Sequence, residues 1–190
     1  FGLMLISPVV LVRFLTVEQF GVYREFLLYA GILTAISAFN ISNSLMYFVP
    51  SQPKAAWRFV HQSTVLVALA SLIIVGLTTL ADQLSGGALV GQHVWPLALY
   101  TLAFVNVDFW EYLWLARGQP ERVLVYTMAR LALRLVVVVT AALLSGDVAT
   151  IIWSLVGFEI VRLVASFIAW RAVAGPMGDP HPDSWRQQIE

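Results

Sequence analysis

The chain has 190 residues, of which 59% are hydrophobic and only 12% are charged, and its mean hydropathy is +0.81. A water-soluble domain carries about a quarter charged residues, so this composition excludes an ordinary soluble fold and indicates a chain surrounded by lipid. The formal net charge is zero without a basic run, which argues against nucleic acid as a partner, and the lack of cysteine excludes disulfides and thiolate metal sites.

Six apolar segments follow one another along the chain, with short connections between them. They lie near residues 2–15, 23–49, 59–81, 94–116, 123–145 and 149–171. The second to sixth segments reach the roughly 20 residues that a helix needs to cross a bilayer, whereas the first is shorter and reads as the end of a truncated helix. The sequence therefore predicts an all-α, polytopic membrane protein in which residues 1–172 form a six-helix transmembrane bundle.

The residues after the sixth segment have a different character. Residues 173–190 contain Gly175 and Pro176, which end a helix, and continue to Ser184 and Gln187 at the spacing of a capping box. We therefore expect a cytoplasmic loop here that leads into a seventh helix.

Basic residues are distributed unevenly between the two ends of the predicted segments. One end carries Lys54, Arg58, Arg117, Arg122, Arg171 and Arg186, and the other carries Arg13 and Arg24. Because Lys and Arg in short loops favour the cytoplasmic side, the first set indicates the cytoplasmic end. Loops 15–22, 82–93 and 146–148 are then predicted to face outwards from a multi-pass protein of the cell inner (plasma) membrane.

The second segment carries a short polar stripe. Asn40, Asn43 and Ser44 have i, i+3 and i+4 spacing, which puts them on one face of a helix. Such a stripe either bonds to a neighbouring helix or forms the wall of a cavity for a polar substrate, and the sequence leaves both interpretations open. Asn40 and Asn43 are therefore candidates for substrate binding.

Charged residues also occur inside the predicted spans. They are Asp108, Glu111, Arg130, Arg134, Glu159 and Arg162. A charge at the centre of a lone helix costs roughly 2.5–3.5 kcal/mol, so these side chains should face the bundle interior or a wet cavity. Asp108 and Arg130 each lie eleven residues from Gln119 in the turn between segments four and five, so their equal depth predicts an ion pair.

The other interior charges are arranged around this pair. Glu111 shares a helical face with Asp108, and Arg134 shares one with Arg130. Glu159 and Arg162 are three residues apart and are predicted to pair along the sixth segment. Arg134 lies deeper than any carboxylate of segment four, which leaves an anionic ligand or a carboxylate from elsewhere in the bundle, such as Glu159, as its partner. The three carboxylates are candidates for charge pairing or for ion coupling.

The chain shows no motif of catalytic chemistry. It contains no glycine-rich phosphate loop, no histidine cluster and no nucleophile elbow, so we predict no catalytic residue, no cofactor and no metal site. The tryptophans lie mostly towards the ends of the segments, which predicts an aromatic belt at the membrane interfaces. These observations favour a transport or scaffold role over an enzyme.

Three stretches of the sequence resemble one family. "VVLVRFLTVEQFGVYREFLL" (residues 9–28) resembles the first outward loop of polysaccharide (O-antigen-type) flippases, which often read Arg-x-Leu-Thr-x-Glu-x-Phe/Tyr-Gly-x-Tyr. "ISNSLMYFVP" (41–50) is similar to the end of their second helix, and "ARGQPERVLVYTMARLALRLVVVV" (116–139) to their 4–5 turn and fifth helix. These flippases belong to the superfamily of multidrug, oligosaccharidyl-lipid and polysaccharide exporters.

The resemblance implies a transporter of 12–14 helices with two six-helix lobes around a central cavity, in which this chain is the N-terminal lobe. It implies transport of an oligosaccharide linked to a polyprenyl pyrophosphate, by alternating access, with the bilayer and the C-terminal lobe of the same protein as partners. In family members with basic cavities, arginines are thought to hold the pyrophosphate. The eligible positions here are Arg130, Arg134 and Arg162, and no motif match selects one of them.

Three alternative functions remain open at this point. The first is a cation-coupled multidrug exporter of the same superfamily, in which the interior carboxylates bind the coupling ion. The second is a membrane glycosyltransferase or polymerase, although the chain shows neither an acidic metal motif nor a large outward loop. The third is a scaffold without transport activity, which requires the interior charges to pair completely.

Overall fold

The computed structural model describes residues 9–39, 41–52 and 55–174, and within these ranges the chain is helical without a strand, as the all-α prediction requires. The α-helices are α1 (Val17–Ala38), α2 (Leu45–Ser51), α3 (Ala56–Leu84), α4 (Val94–Val105), α5 (Phe109–Ala116), α6 (Pro120–Ser145) and α7 (Val148–Ala174). Two 3-10 turns, Ile41–Ser44 and Gly91–His93, precede α2 and α4.

Local signals explain where two of the helices begin or end. Helix α1 starts with a capping box, in which the Gln19 backbone N–H donates to the Thr16 hydroxyl (3.2 Å) and the Thr16 N–H to the Gln19 side chain (3.1 Å). Helix α6 has Pro120 in its first turn and ends at Gly146, whose φ of 60° is open to glycine without strain.

Two of the predicted segments are not continuous helices. The second is interrupted after Ala38, where Phe39 takes a left-handed conformation and the chain bends by 45° into the 41–51 part. The fourth is interrupted at residues 106–108, between α4 and α5. The prediction of one unbroken helix in each segment is therefore wrong. No proline or glycine lies at either break, so the sequence carries only weaker signals of interruption there, which are the Asn and Ser residues of the first break and Asn106 and Asp108 of the second.

Three helices are long and apolar enough to cross a membrane: α3, α6 and the Val148–Arg171 part of α7. Helix α1 together with Ile41–Ser51 makes a fourth if the bent pair is one span. Helix α4 has 12 residues, fewer than the roughly 20 that a single crossing needs. These helices indicate a membrane protein, and six crossings stay a prediction.

The distribution of side chains supports the same conclusion. Leu72 and Val161 are 55% and 68% exposed, whereas the Glu159 side chain is 1% exposed. A soluble protein shows the opposite arrangement, because water solvates charges and excludes large apolar groups. Apolar surfaces on the outside with charges on the inside are what a lipid environment favours.

Helix α4 lies at the centre of the bundle and packs against α1, α3 and α7. It contributes Leu97 and Tyr100 to the first of two hydrophobic cores, and the second core begins beyond its end, at Val107. The first core includes Leu11, Tyr23, Phe26, Leu97, Tyr100, Val138, Ile151, Ile152, Leu155 and Val156. The second includes Leu45, Val49, Phe59, Val107, Phe109, Trp110, Leu113 and Trp170. The break at residues 106–108 lies where the first core gives way to the second.

The loops gather at two ends, as the sequence predicts. At one end, the Gln19 side-chain amide donates to the Gly146 carbonyl (3.4 Å), and Val22 and His93 line a common cleft. At the other end, the Arg117 guanidinium lies 5.2 Å from the ring centre of Trp57. Loops 15–22, 82–93 and 146–148 therefore lie together, opposite the 50–58 and 116–122 turns.

Candidate functional site

The charged residues of α5, α6 and α7 meet between the two hydrophobic cores. We call this group the charge layer: Asp108, Glu111, Arg130, Arg134, Glu159 and Arg162. On α7, Glu159 and Arg162 follow Val156 of the first core and precede Trp170 of the second. All six positions that the sequence predicts inside the membrane therefore belong to one region of the bundle.

Arg130 on α6 contacts both carboxylates that flank the start of α5. Its Nη1 atom lies 2.9 Å from Glu111 Oε1 and 3.7 Å from Asp108 Oδ1. The predicted Asp108–Arg130 pair is thus present, but Glu111 makes the shorter contact. Glutamate reaches further by one methylene, and the shared face of Asp108 and Glu111 brings both to the same guanidinium.

Arg162 on α7 connects the other two carboxylates. Its Nη1 atom lies 3.2 Å from Glu159 Oε2, which is the predicted pair along the helix, and its Nη2 atom lies 3.7 Å from Asp108 Oδ1. Asp108 is therefore shared between Arg130 and Arg162. Through it, the ion pairs join the 106–108 break to α6 and α7.

The break at residues 106–108 needs polar side chains, because the last carbonyls of α4 have no helical donors. The Asn106 side-chain amide donates to the Leu102 carbonyl (2.8 Å) and lies 3.3 Å from the Ser71 hydroxyl. Arg162 Nη2 donates to the Phe104 carbonyl (3.3 Å). Arg162 thus has a structural contact in addition to its ion pairs. Asn106 was not predicted from the sequence as part of the site. The available signal was the presence of an amide side chain within an apolar run, two residues before Asp108.

Two aromatic rings of α4 form a surface for all three arginines. Tyr100 and Phe104 stack with their ring centres 5.6 Å apart. The guanidinium carbons of Arg130 and Arg162 lie 5.9 and 5.1 Å from the Phe104 ring centre, and that of Arg134 lies 5.8 Å from the Tyr100 ring centre. Such cation–π contacts stabilise a partly desolvated cation by about 0.5–2 kcal/mol. Neither ring was predicted from the sequence as part of the site. The available signal was that Tyr100 and Phe104 are spaced i,i+4 and lie two turns and one turn before Asp108.

Arg134 differs from the other two arginines. No carboxylate oxygen within the described residues lies within 4 Å of its guanidinium, as the sequence predicts for its depth. Glu159 is close enough to interact with it electrostatically, without a direct contact. Its side chain is partly exposed, and an anion beside it would meet a cation that is not already neutralised by a contacting carboxylate.

An aromatic cleft of about 250 Å³ opens beside the charge layer and is lined by Trp110, Trp114, Tyr126, Arg162 and Ser166, among others. Within the described part of the chain, the Arg162 Nε atom and the Tyr126 hydroxyl are buried without a hydrogen-bond partner.

Trp110 and Trp170 are each only 8% exposed, so the aromatic-belt prediction is wrong for them, because they pack in the second core. Trp95, which is 62% exposed, fits the belt.

The predicted polar stripe has a different geometry. Asn40 lies outside the described residues. Asn43 is exposed on the 3-10 turn Ile41–Ser44, which packs against α2, α3 and α5. A 3-10 turn has three residues per turn, so the i, i+3, i+4 face expected of an α-helix does not form there. The role of Asn43 in substrate binding stays a prediction.

The arrangement combines guanidinium groups, which donate to carboxylate and phosphate oxygens in a planar fork, with carboxylates that hold them inside an apolar bundle. Across the described ranges, no group of three or more His, Cys, Asp or Glu residues could hold a metal ion.

No protein-family model, curated protein or solved structure matches the chain.

Proposed function

We propose that the chain belongs to a flippase that moves lipid-linked oligosaccharide or polysaccharide precursors across the cytoplasmic membrane by alternating access. The proposal is supported by the resemblance of residues 9–28, 41–50 and 116–139 to polysaccharide flippases. The observation that carries it is the charge layer, in which α6 and α7 direct three arginines towards one region between apolar cores.

The chemistry of the substrate explains why arginines are suited to this position. A pyrophosphate that crosses a bilayer must keep its charge compensated, and a guanidinium matches two phosphate oxygens at once. Among the described residues, Arg134 has no contacting carboxylate, and the Arg162 Nε atom has no hydrogen-bond partner. Both arginines therefore have donor capacity left for an anionic ligand.

In this proposal, the chain contributes the six-helix N-terminal lobe of a transporter with 12–14 helices. The C-terminal lobe of the same protein completes the cavity, the charge layer binds the pyrophosphate of the polyprenyl carrier, and the lipid tail stays in the bilayer. Alternating access moves the head group, so the activity needs no bond-making step, no catalytic residue and no cofactor.

Arg134→Ala tests the proposal. We expect it to reduce complementation of a flippase-deficient strain to the level of the empty vector, because the arginine without a contacting carboxylate is the one most available to an anion. Arg134→Lys should restore activity only in part, since an ammonium lacks the planar fork. Membrane insertion, measured by immunoblot of the membrane fraction, should stay normal.

The matched control is Arg122→Ala, which removes the same side chain from an exposed position near the start of the same helix. It should keep full activity. Full activity of Arg134→Ala at normal expression would contradict the role of Arg134 and would favour a scaffold without transport.

A cation-coupled multidrug exporter is the second candidate, and the burial of Glu159 favours it. This carboxylate is 1% exposed and its Oε1 atom has no hydrogen-bond partner among the described residues. Buried carboxylates inside membrane helices are common in proton and ion pathways. In this candidate, Glu159→Gln abolishes transport of a cationic drug while Arg134→Ala keeps it, which is the reverse of the flippase result.

A further inference from the structure

Asp108 is the most loosely held carboxylate of the charge layer, although it lies between two cations. Its Oδ1 atom is 3.7 Å from Arg130 Nη1 and 3.7 Å from Arg162 Nη2. Charge-assisted N–H···O contacts are about 2.7–2.9 Å long, so neither contact is a full hydrogen bond. Glu111 and Glu159 approach the same two arginines more closely, to 2.9 and 3.2 Å, so their Coulombic attraction is stronger, although their contacting oxygens also make no hydrogen bond among the described residues.

The Asp108 side chain has no other structural task within the described residues. It occupies the N-cap position of α5 but makes no capping hydrogen bond. It lies in the three-residue break between α4 and α5, and its side chain is 30% exposed. The carboxylate can therefore rotate away from the arginines without the loss of a helical or capping hydrogen bond.

The position between two guanidinium groups suits a phosphate group. A phosphate presents several acceptor oxygens and more negative charge than one carboxylate, so it can contact both arginines at hydrogen-bond distance. Glu111 and Glu159 would keep their own shorter contacts with these arginines. An arriving phosphate therefore has to replace only the weaker contacts of Asp108.

We propose that Asp108 is an internal competitor for the phosphate group of the substrate. It neutralises Arg130 and Arg162 while no substrate is bound, and the phosphate displaces it on binding. This inference rests on the proposed function and adds a specific role to it: Asp108 lowers the affinity of the site for phosphate. A weaker site releases its ligand faster, which a transporter requires on the side where the substrate leaves.

Binding of geranylgeranyl pyrophosphate to the full-length protein in phosphatidylcholine nanodiscs tests the inference. We expect Asp108→Asn to bind this probe about tenfold more tightly than the wild type, which corresponds to about 1.4 kcal/mol. The matched control is Glu111→Gln, which removes the same charge from the same layer but contacts Arg130 alone. It should raise the affinity by less than about threefold, because the phosphate does not displace Glu111, which acts on the bound phosphate only through its charge.

Two further variants keep the test decisive if Asp108→Asn folds poorly. Asp108→Ser is a second neutral variant and should also bind more tightly. Asp108→Glu keeps the charge and reaches the guanidinium groups more closely, so it should bind about threefold more weakly than the wild type. Size-exclusion chromatography identifies the variants that fold.

The outcomes separate the two proposals. Equal gains in Asp108→Asn and Glu111→Gln would show an effect of net charge alone and would overturn the competition while the flippase proposal stands. If the wild type binds the probe and the neutral variants bind it no more tightly, the competition is also overturned while the flippase proposal stands. No binding by the wild type or by any variant would overturn both.

Discussion

Glu111 and Arg130 make the shortest ion pair of the charge layer, at 2.9 Å, and both side chains are only partly exposed, at 23% and 15%. Arg130→Gln removes the cation and leaves Glu111 without its contact. A fully buried charge left in this way destabilises a protein by about 3–5 kcal/mol. Because water reaches part of this pair, we expect a smaller loss of about 1–3 kcal/mol in thermal unfolding of the purified protein.

The double variant Glu111→Gln with Arg130→Gln separates pairing from simple loss of polarity. It should be more stable than Arg130→Gln alone, because two neutral amides leave no unpaired charge. The matched control is Glu121→Gln, an exposed carboxylate in the first turn of α6, which should change stability by less than about 0.5 kcal/mol. A double variant less stable than both single variants would contradict the pairing.

For individual residues, the sequence predicts which ones form the charge layer, but it does not predict all of the contacts that they make. Counting residues from the turn at Gln119 brings Asp108 and Arg130 to the same depth, and the structure has them 3.7 Å apart. The count does not reveal that Glu111 lies closer, because side-chain reach and helix rotation are tertiary properties. For the same reason, the contacts of the arginines with Tyr100 and Phe104 could not be predicted from one helix alone.

Among the elements, the break between α4 and α5 is stabilised in part by one side-chain amide. The Asn106 side chain donates to the Leu102 carbonyl at 2.8 Å, inside a helix bundle that offers little water. Asn106→Leu removes this donor with little change in volume and leaves the carbonyl without its side-chain partner. We expect a loss of about 1–3 kcal/mol of stability, measured by thermal unfolding in detergent.

Ser71→Ala is the control for this prediction. The Ser71 hydroxyl lies 3.3 Å from the Asn106 amide, but it bonds to the Ala68 carbonyl of its own helix at 2.9 Å. Its removal leaves the bond of Asn106 to Leu102 intact, so the loss should stay below about 0.5 kcal/mol. Equal losses in the two variants would mean that the Asn106–Ser71 contact, and not the carbonyl of α4, holds the break.

The helices themselves could largely be predicted from the sequence, whereas their interruptions could not. Long apolar runs give α3, α6 and α7 within a few residues of the predicted segments, because length and hydropathy alone determine such helices in lipid. The breaks at residues 39–44 and 106–108 contain no Pro or Gly, and their Asn, Ser and Asp residues are weaker signals of an interruption. They are stabilised by partners on other helices, such as Arg162 for the Phe104 carbonyl, and hydrophobic periodicity does not detect such partners.

At the scale of the whole bundle, the described residues form two hydrophobic cores with the charge layer between them. The helices pack through apolar side chains in each core, whereas ion pairs connect them in the charge layer between the cores. Apolar packing loses contacts when helices shift, but an ion pair can exchange one partner for another of the same sign. In the proposed transport cycle, such an exchange of partners would let helices shift without leaving a charge unpaired.

The orientation of the molecule in the membrane is the final prediction. The six basic residues of one end, against two at the other, predict that the 50–58 and 116–122 turns face the cytoplasm. These 190 residues contain no cysteine, so a single cysteine introduced into them is the only one that they carry. Exposed positions are available at both ends, at Gln92 in the loop before α4 and at Gln52 and Glu121 in the two turns.

We expect Gln92→Cys to react with a membrane-impermeant maleimide on intact cells, because its loop lies at the end that is poor in basic residues. Gln52→Cys and Glu121→Cys should react only after the membrane is permeabilised. Since the Arg117–Trp57 contact joins the two turns, their cysteines must report the same side. Labelling of Gln52→Cys and Glu121→Cys alone on intact cells would reverse the orientation. Labelling of only one of these two would mean that the two turns face opposite sides of the membrane. It would contradict the predicted topology, in which segments three and four together cross the membrane twice.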